Sequence, residues 1–317
     1  MNSSMLVSKG RAIRRRLGGR IKAMGWLLPV PLPAFHAVHL QTYQEFVDYR
    51  EREREVLENR LRLMWEMARP GGIITTRGYC ICCRQASEFV TDADAHRQSA
   101  VEMPAWCEGL LCPGCGLNSR MRASVHLMLW ASRPRRRSRI FLTEQVTPLY
   151  RWVKGRYPLT EGSEYLRDGT IPGKTNGLGI RHEDLTALSL PDGSVDVIVS
   201  LEVLEHIPDF HAALAQCARV LAPGGKLILC VPFHRGPDHV LRARVASDGS
   251  VEHLLTPEYH YDPLDPQGCL CFHHFGWDLL DFLKQAGFRR ATGCSIWSAK
   301  LGYIEGAGDT LQFVAEK

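Results

Sequence analysis

Four cysteines in two pairs carry the sharpest chemistry in this chain of 317 residues. The stretch "CICC" supplies Cys80 and Cys83, with Cys82 between them, and "CPGCG" supplies Cys112 and Cys115. Each pair has the C-x-x-C spacing that lets two thiolates reach one tetrahedral zinc ion from a tight turn. Pro113 and Gly114 suit that turn, and Gly116 lets the backbone pass close to sulfur. Four thiolates would fill the tetrahedron and leave no position for water or substrate, so the expected Zn2+ is structural. Buried cysteines acting as small hydrophobes are the plainer alternative. A redox C-x-x-C normally opens a helix in a thioredoxin-like unit, which is not apparent around either pair. Cys82 and Cys107 are reserve ligands.

The elements that must position these residues can be read on either side. From Gln41 to Met67 there is no glycine or proline, strong helix formers dominate, and Phe46, Tyr49, Leu57, Leu61 and Met64 recur near one face. One amphipathic helix is expected, its Glu/Arg alternation facing solvent and ended by "ARPGG". After the cysteine segment, "SVHLMLWAS" reads as helix and "RPRRRSR" as a basic run. From Ser138 onward, apolar runs of strand length alternate with helical segments, the pattern of a mostly parallel α/β sheet. "VDVIVS" and "KLILCVPF" read as buried strands around the helix "DFHAALAQCARVL" and the stop "APGG". The expected organisation is a basic flexible tail over 1–40, an amphipathic helix over 41–77, a four-cysteine, zinc-ribbon-like module over 78–137 and an α/β domain over 138–317.

Composition narrows the class. Hydrophobic content of 45% and charged content of 23% are ordinary for a globular protein. No apolar run approaches the roughly 20 residues that a membrane-spanning helix needs. The formal net charge is +5, but no acidic residue precedes Glu45, whereas Lys9, Arg11, Arg14, Arg15, Arg16, Arg20 and Lys22 crowd the start. A solvated tail, a targeting peptide and a surface for anionic lipid or nucleic acid all fit that pattern. Eleven cysteines without a recognisable secretory leader indicate reduced thiols and a cytoplasmic location.

The segment "RHEDLTALSLPDGSVDVIVSLEVLEHIPDFHAALAQCARVLAPGGKLILCVPF" resembles the class I S-adenosylmethionine-dependent methyltransferases, in particular the type 11-like group with "E-V-L-E-H" after the fourth strand. The cysteine module resembles zinc ribbons and zinc knuckles. The first resemblance implies a Rossmann-like, seven-stranded sheet that binds S-adenosyl-L-methionine beyond the carboxyl ends of its strands. It places Asp184 and Leu185 at the adenine and Glu164 at the ribose hydroxyls, where a carboxylate offers two acceptor oxygens. Ser200 and Glu202 fall on the rim, and Glu144 ends the first strand. The usual glycine loop is missing there: "TEQVTP" has Gln145, Val146 and Thr147 instead. A helix capped by Thr147 with Pro148 in its first turn could still present amides to the cofactor's carboxylate.

Methyl transfer to a hydroxyl gains from a general base, usually histidine. His206 in "LEHIP" is the motif histidine. His234, His260, His273 and His274 lie in or near the insertion 233–270, which by the resemblance covers the acceptor. His260, between Tyr259 and Tyr261, is the leading candidate for the base, with His206 beside it. The expected acceptor is a hydroxyl or carboxyl of a small molecule or glycan. RNA is the runner-up, because a zinc module and basic segments can hold phosphates. A zinc-containing adaptor with a non-catalytic methyltransferase fold is the third reading.

Overall fold

The computed structural model describes residues 35–68, 72–92, 104–306 and 308–317. The basic residues from Lys9 to Lys22 and the expected tail up to residue 34 lie outside them. Ala34–Lys317 form one compact unit, so the cysteine module and the sheet domain pack together rather than as separate bodies.

A seven-stranded sheet organises that unit. In chain order its strands are β1 (Ala37–Leu40), β4 (Ile140–Leu142), β5 (Glu161–Gly162), β6 (Val195–Leu201), β7 (Leu221–Cys230), β14 (Arg290–Ile296) and β15 (Thr310–Glu316). Strands β2 (Ile73–Cys80) and β3 (Gln85–Asp92) make a separate hairpin. Strands β8 (Val240–Leu241), β9 (Ala243–Val245), β10 (Val251–His253), β11 (Tyr259–His260), β12 (Cys269–Leu270) and β13 (His273–His274) are short pieces of an excursion after β7. The sheet order is β1-β14-β15-β7-β6-β4-β5. Strands β5, β4, β6 and β7 run parallel, while β15, β14 and β1 pair antiparallel.

This order has a switch point. The chain leaves β4 toward β5 on one side and returns to β6 on the other, so the carboxyl ends of β4 and β6 part around a crevice. Ligands in doubly wound sheets bind there. The alternating pleat sends Phe141, Ile198, Leu227, Leu229 and Phe313 into one apolar cluster with helices α6 (Phe210–Val220) and α7 (Leu279–Gln285). On the module side, α4 (Ser119–Ser132) packs on β7 and β15. A cavity of about 520 Å³ is lined by His39, Trp130, Arg133, Lys226 and Arg290, among others, and by none of the expected site residues.

Several expected boundaries move. Residues 37–40, assigned to the tail, are an edge strand paired with β14. The single helix expected over 41–67 is two helices, α1 (Tyr43–Arg52) and α2 (Arg54–Met67), broken at Glu53. No breaker residue stands there, so tertiary contacts decide it. Phe46 packs against Trp277 with ring centroids 5.0 Å apart, Tyr49 takes a hydrogen bond from Ser295, and α2 buries Leu57 and Met64. Residues 73–77, also assigned to the helix, belong to β2, and α4, assigned to the cysteine module, covers the sheet. Helix α3 (Trp106–Gly109) and helix α5 (Pro148–Arg156) complete the set.

Candidate functional site

The missing glycine loop has a structural substitute. Glu164 sits just past β5, and its Oε1 accepts from the backbone N–H groups of Gln145 (2.6 Å) and Val146 (2.9 Å). The Gln145 side chain fastens the same loop from outside, accepting from Arg181 N (2.7 Å) and donating to Gly179 O (2.9 Å). A glycine serves the approach from the facing strand: a Cβ at Gly162 would lie 2.6 Å from Glu144 O and 2.6 Å from the Tyr150 ring. The close contact that loop glycines would permit is thus made through β5. Thr147 caps α5, accepting from Tyr150 N at 3.2 Å, with Pro148 in the first turn.

This geometry alters the role expected of Glu164. One of its two oxygens is spent on the loop amides, so the two-acceptor grip on a diol is reduced to one oxygen. Asp184 similarly commits Oδ1 to Thr186 N (2.8 Å) and Oγ1 (2.7 Å). Leu185 is buried in the main apolar cluster. Ser200 is buried and its hydroxyl accepts from Thr143 Oγ1 at 3.1 Å, so it ties β4 to β6 instead of opening onto the crevice.

Glu144 is different. Its Oε1 is inaccessible and has no hydrogen-bond partner. Burial pushes its carboxyl up to about 7, against the attraction of Arg120 and with the added repulsion of Glu164. Arg120 was not singled out from the sequence. It comes from α4, is paired with both oxygens of Glu108 (Nη2 to Oε2 2.9 Å), and acts electrostatically on Glu202 as well as Glu144. Glu202 itself holds φ at +54°, a left-handed conformation costing about 1 kcal/mol or more for a non-glycine residue and frequent at functional rims.

Beyond it the turn Leu204–His206 places a second group of side chains. Glu205 is fully buried, and neither carboxylate oxygen has a hydrogen-bond partner. His206 Nε2 and His260 Nδ1 each stand 3.4 Å from Glu205 Oε1, and the two rings meet edge to face at 4.9 Å. The excursion after β7 is pinned onto this turn by Phe272 N donating to Glu205 O (2.8 Å) and by His206 Nδ1 against Leu270 O (2.8 Å). That second contact requires Nδ1–H and leaves Nε2 as the ring nitrogen facing Glu205. His260 lies among the Cys271 thiol, Glu205 and Glu258, which hold its proton and push it up to about 11. An imidazole so protonated is a poor resting base, contrary to the role expected of it. The signal that was missed is Glu258, two residues before His260 and carboxylate to both His260 and His274. His234 is turned away, with Nε2 2.6 Å from Asp238 O.

The cysteines converge. Sγ atoms of Cys80, Cys83, Cys112 and Cys115 all lie within 4.8 Å of one another, with Cys80–Cys115 and Cys83–Cys112 at 3.8 Å. A tetrahedron with zinc–sulfur bonds of about 2.3 Å has edges of about 3.8 Å, so the four sulfurs fit that ion. Cys80 ends β2 and Cys83 N points at Cys80 Sγ (3.4 Å); Gly116 adopts φ of +74° and donates to Cys112 O (2.8 Å). Hydrogen bonding from neighbouring thiols, Cys112 first, lowers the Cys115 thiol to about 4 against the effect of burial, while Cys83 and Cys112 are pushed up. Cys107 faces Glu305 instead. The first knuckle also touches the sheet domain, because Cys82 O accepts from Trp152 Nε1 (3.2 Å) and Arg156 Nη2 (2.9 Å) of α5. Arg122, fully buried, donates to Leu110 O, Leu117 O and Gly302 O at 2.7–2.9 Å and stacks 4.0 Å from the Phe89 ring. None of the described helices is long and apolar enough to cross a membrane.

The fold and this rim define a doubly wound α/β protein with its ligand crevice at the switch point. Residues 163–229 match the family described as "Methyltransferase domain". A protein of Mycolicibacterium smegmatis named as a probable S-adenosylmethionine-dependent methyltransferase is 47% identical over 53 residues, covering 17% of this chain and 21% of that protein. The ubiquinone biosynthesis O-methyltransferase of Xanthomonas oryzae is 39% identical over 79 residues, 25% of this chain and 32% of that one. This chain thus spans a third or less of the length of these curated relatives. The crystal structure of an S-adenosylmethionine-dependent methyltransferase from Mesorhizobium loti overlays 61% of this chain and 98% of its own at 16% identity and a TM-score of 0.38. Over residues 163–229 the chain thus matches a methyltransferase domain, and the relatives it resembles are named as S-adenosylmethionine-dependent methyltransferase and O-methyltransferase.

Proposed function

We propose that the protein transfers a methyl group from S-adenosylmethionine to an oxygen of a small molecule or glycan, with a structural zinc ion held by Cys80, Cys83, Cys112 and Cys115. The observation that carries the first part is the buried carboxylate of Glu205 with His206 at the carboxyl end of β6, under the excursion from residue 233 to 278. The bound cofactor supplies an activated methyl group. The chain's own residues supply orientation and a proton acceptor. His206 takes the acceptor's proton at Nε2 while Nδ1–H is held by Leu270 O, and Glu205, 3.4 Å from that same Nε2, neutralises the imidazolium that forms. Glu144, with its unpartnered oxygen, fits the cationic amine of the cofactor's methionine part. Glu164 Oε2 and Asp184 Oδ2, the oxygens not committed to the loops, face the remaining polar groups. The name of the Xanthomonas relative, an O-methyltransferase, favours an oxygen acceptor over RNA.

The test is calorimetric titration with S-adenosylhomocysteine, paired with a methylation screen of phenols, carboxylic acids and sugars. Wild type is expected to bind in the micromolar range. Asp184→Ala should weaken binding, while His206→Gln should keep binding but lose turnover at least a hundredfold, a common yield of general base catalysis. No binding to wild type would leave the adaptor reading, and full turnover by His206→Gln would remove the base.

A further inference from the structure

We propose that the segment covering the crevice holds a divalent transition-metal ion on Glu258, Cys271 and His274, with His260 Nε2 as fourth donor, separate from the four-cysteine site. One donor atom from each of Glu258, Cys271 and His274 lies within 4.8 Å of the others. Glu258 Oε1 faces two imidazole nitrogens, His260 Nε2 at 3.0 Å and His274 Nε2 at 3.2 Å. Its other oxygen is held by Arg242 Nη2 at 3.0 Å, so Glu258 is fixed to present Oε1 inward.

Backbone pairing pre-forms the group. His260 pairs with Cys269 between β11 and β12, Cys271 N donates to Glu258 O at 2.8 Å, and His274 pairs with Val240 between β13 and β8. Glu258 and His260, two apart on extended chain, share a face. One thiolate, two imidazoles and one carboxylate suit zinc or a neighbouring late divalent ion rather than calcium or magnesium.

A second observation points the same way. Ligating histidines characteristically give their other ring N–H to a carboxylate that fixes tautomer and orientation. His260 turns Nδ1 toward Glu205 Oε1 at 3.4 Å, a buried oxygen that His206 Nε2 also approaches at 3.4 Å. A buried carboxylate so placed fits the outer partner of a metal-bound imidazole.

The experiment measures metal per chain by inductively coupled plasma mass spectrometry after loading with zinc and gel filtration, in wild type, Cys271→Ser and Glu258→Gln. The Glu258 side chain is more than a third exposed, so its amide variant tests the site even where the buried cysteine variant folds poorly. Cobalt(II) loading provides a second readout, since the four-cysteine site contributes the same thiolate-to-cobalt absorption to both proteins and only the part that disappears in Cys271→Ser reports the Cys271 sulfur. One equivalent fewer in both variants, with the four-cysteine ion retained, is the expected result. Unchanged metal content in the folded variants would overturn the proposal and leave a hydrogen-bonded network. The readout is metal content, so it stands whether or not methyl transfer is found.

Discussion

Replacing Glu144 by glutamine should stabilise the protein and weaken its hold on the cofactor at the same time. The carboxyl is pushed up to about 7 by burial, against about 4.5 for an ordinary glutamate. Because the folded value is the higher one, the folded state grips the proton more tightly than the unfolded chain does. The resulting destabilisation is absent below about pH 4.5, grows between there and pH 7, and is complete above. The difference corresponds to about 3 kcal/mol at 1.36 kcal/mol per unit, and about 2 kcal/mol is a fairer figure for a residue that remains partly accessible. Glutamine keeps the shape and removes the charge. At pH 8 the variant should therefore melt about 5 °C higher than wild type, at roughly 2–4 °C per kcal/mol for a chain of this size, and at pH 4.5 the two should coincide. If the cofactor's amine answers this carboxylate, S-adenosylhomocysteine affinity at pH 8 falls about tenfold in the variant, the loss of one charge-assisted hydrogen bond. Binding to wild type near pH 6.5 should also release a proton, visible as a dependence of the calorimetric enthalpy on buffer ionisation. Equal melting at pH 8, or a variant that binds as tightly as wild type, would refute the assignment.

Three other perturbations follow from the same geometry. Glu164→Ala strips the acceptor from the Gln145 and Val146 amides, so it should cost about 1–3 kcal/mol in urea unfolding and weaken S-adenosylhomocysteine binding; loss of binding without loss of stability would argue for direct contact alone. Arg122→Met leaves Leu110 O and Gly302 O without this donor, Leu117 O keeping its bond from Cys112 N, and should destabilise by about 3–5 kcal/mol, the range for breaking a buried charged network, with the chemical denaturation midpoint as readout. Cys112→Ser, or incubation with a zinc chelator, should lower the melting temperature and release α5 from the first knuckle, seen as faster hydrogen exchange at the Trp152 indole.

Residues 138–230 were the most legible part. Val195–Leu201 and Phe210–Val220 announce themselves by composition and period, because a buried parallel strand and an amphipathic helix have local requirements that each residue meets independently. Thr147 and Pro148 mark the start of α5 for the same reason, since capping is a matter of neighbouring residues. The four cysteines were legible because C-x-x-C spacing is itself a geometric statement. The break at Glu53 was not, because every residue from 43 to 67 is compatible with helix and the contacts that hold the two helices apart, among them Trp277, Ser295 and Gly308, lie far along the chain. Nor was β1, whose four residues become a strand by pairing with β14.

The site divides along the same line. Residue types and order sufficed for a sheet with a crevice, the resemblance to a methyltransferase domain and two thiol pairs. Tertiary structure alone decided that Glu164 braces the glycine-poor loop, that Arg120 reaches from α4 to act on Glu144 and Glu202, and that His260 meets Glu205, Glu258 and Cys271. Each of these depends on side chains distant in sequence arriving within a few ångströms of one another, where burial and neighbouring charge reset what a carboxylate or an imidazole can do.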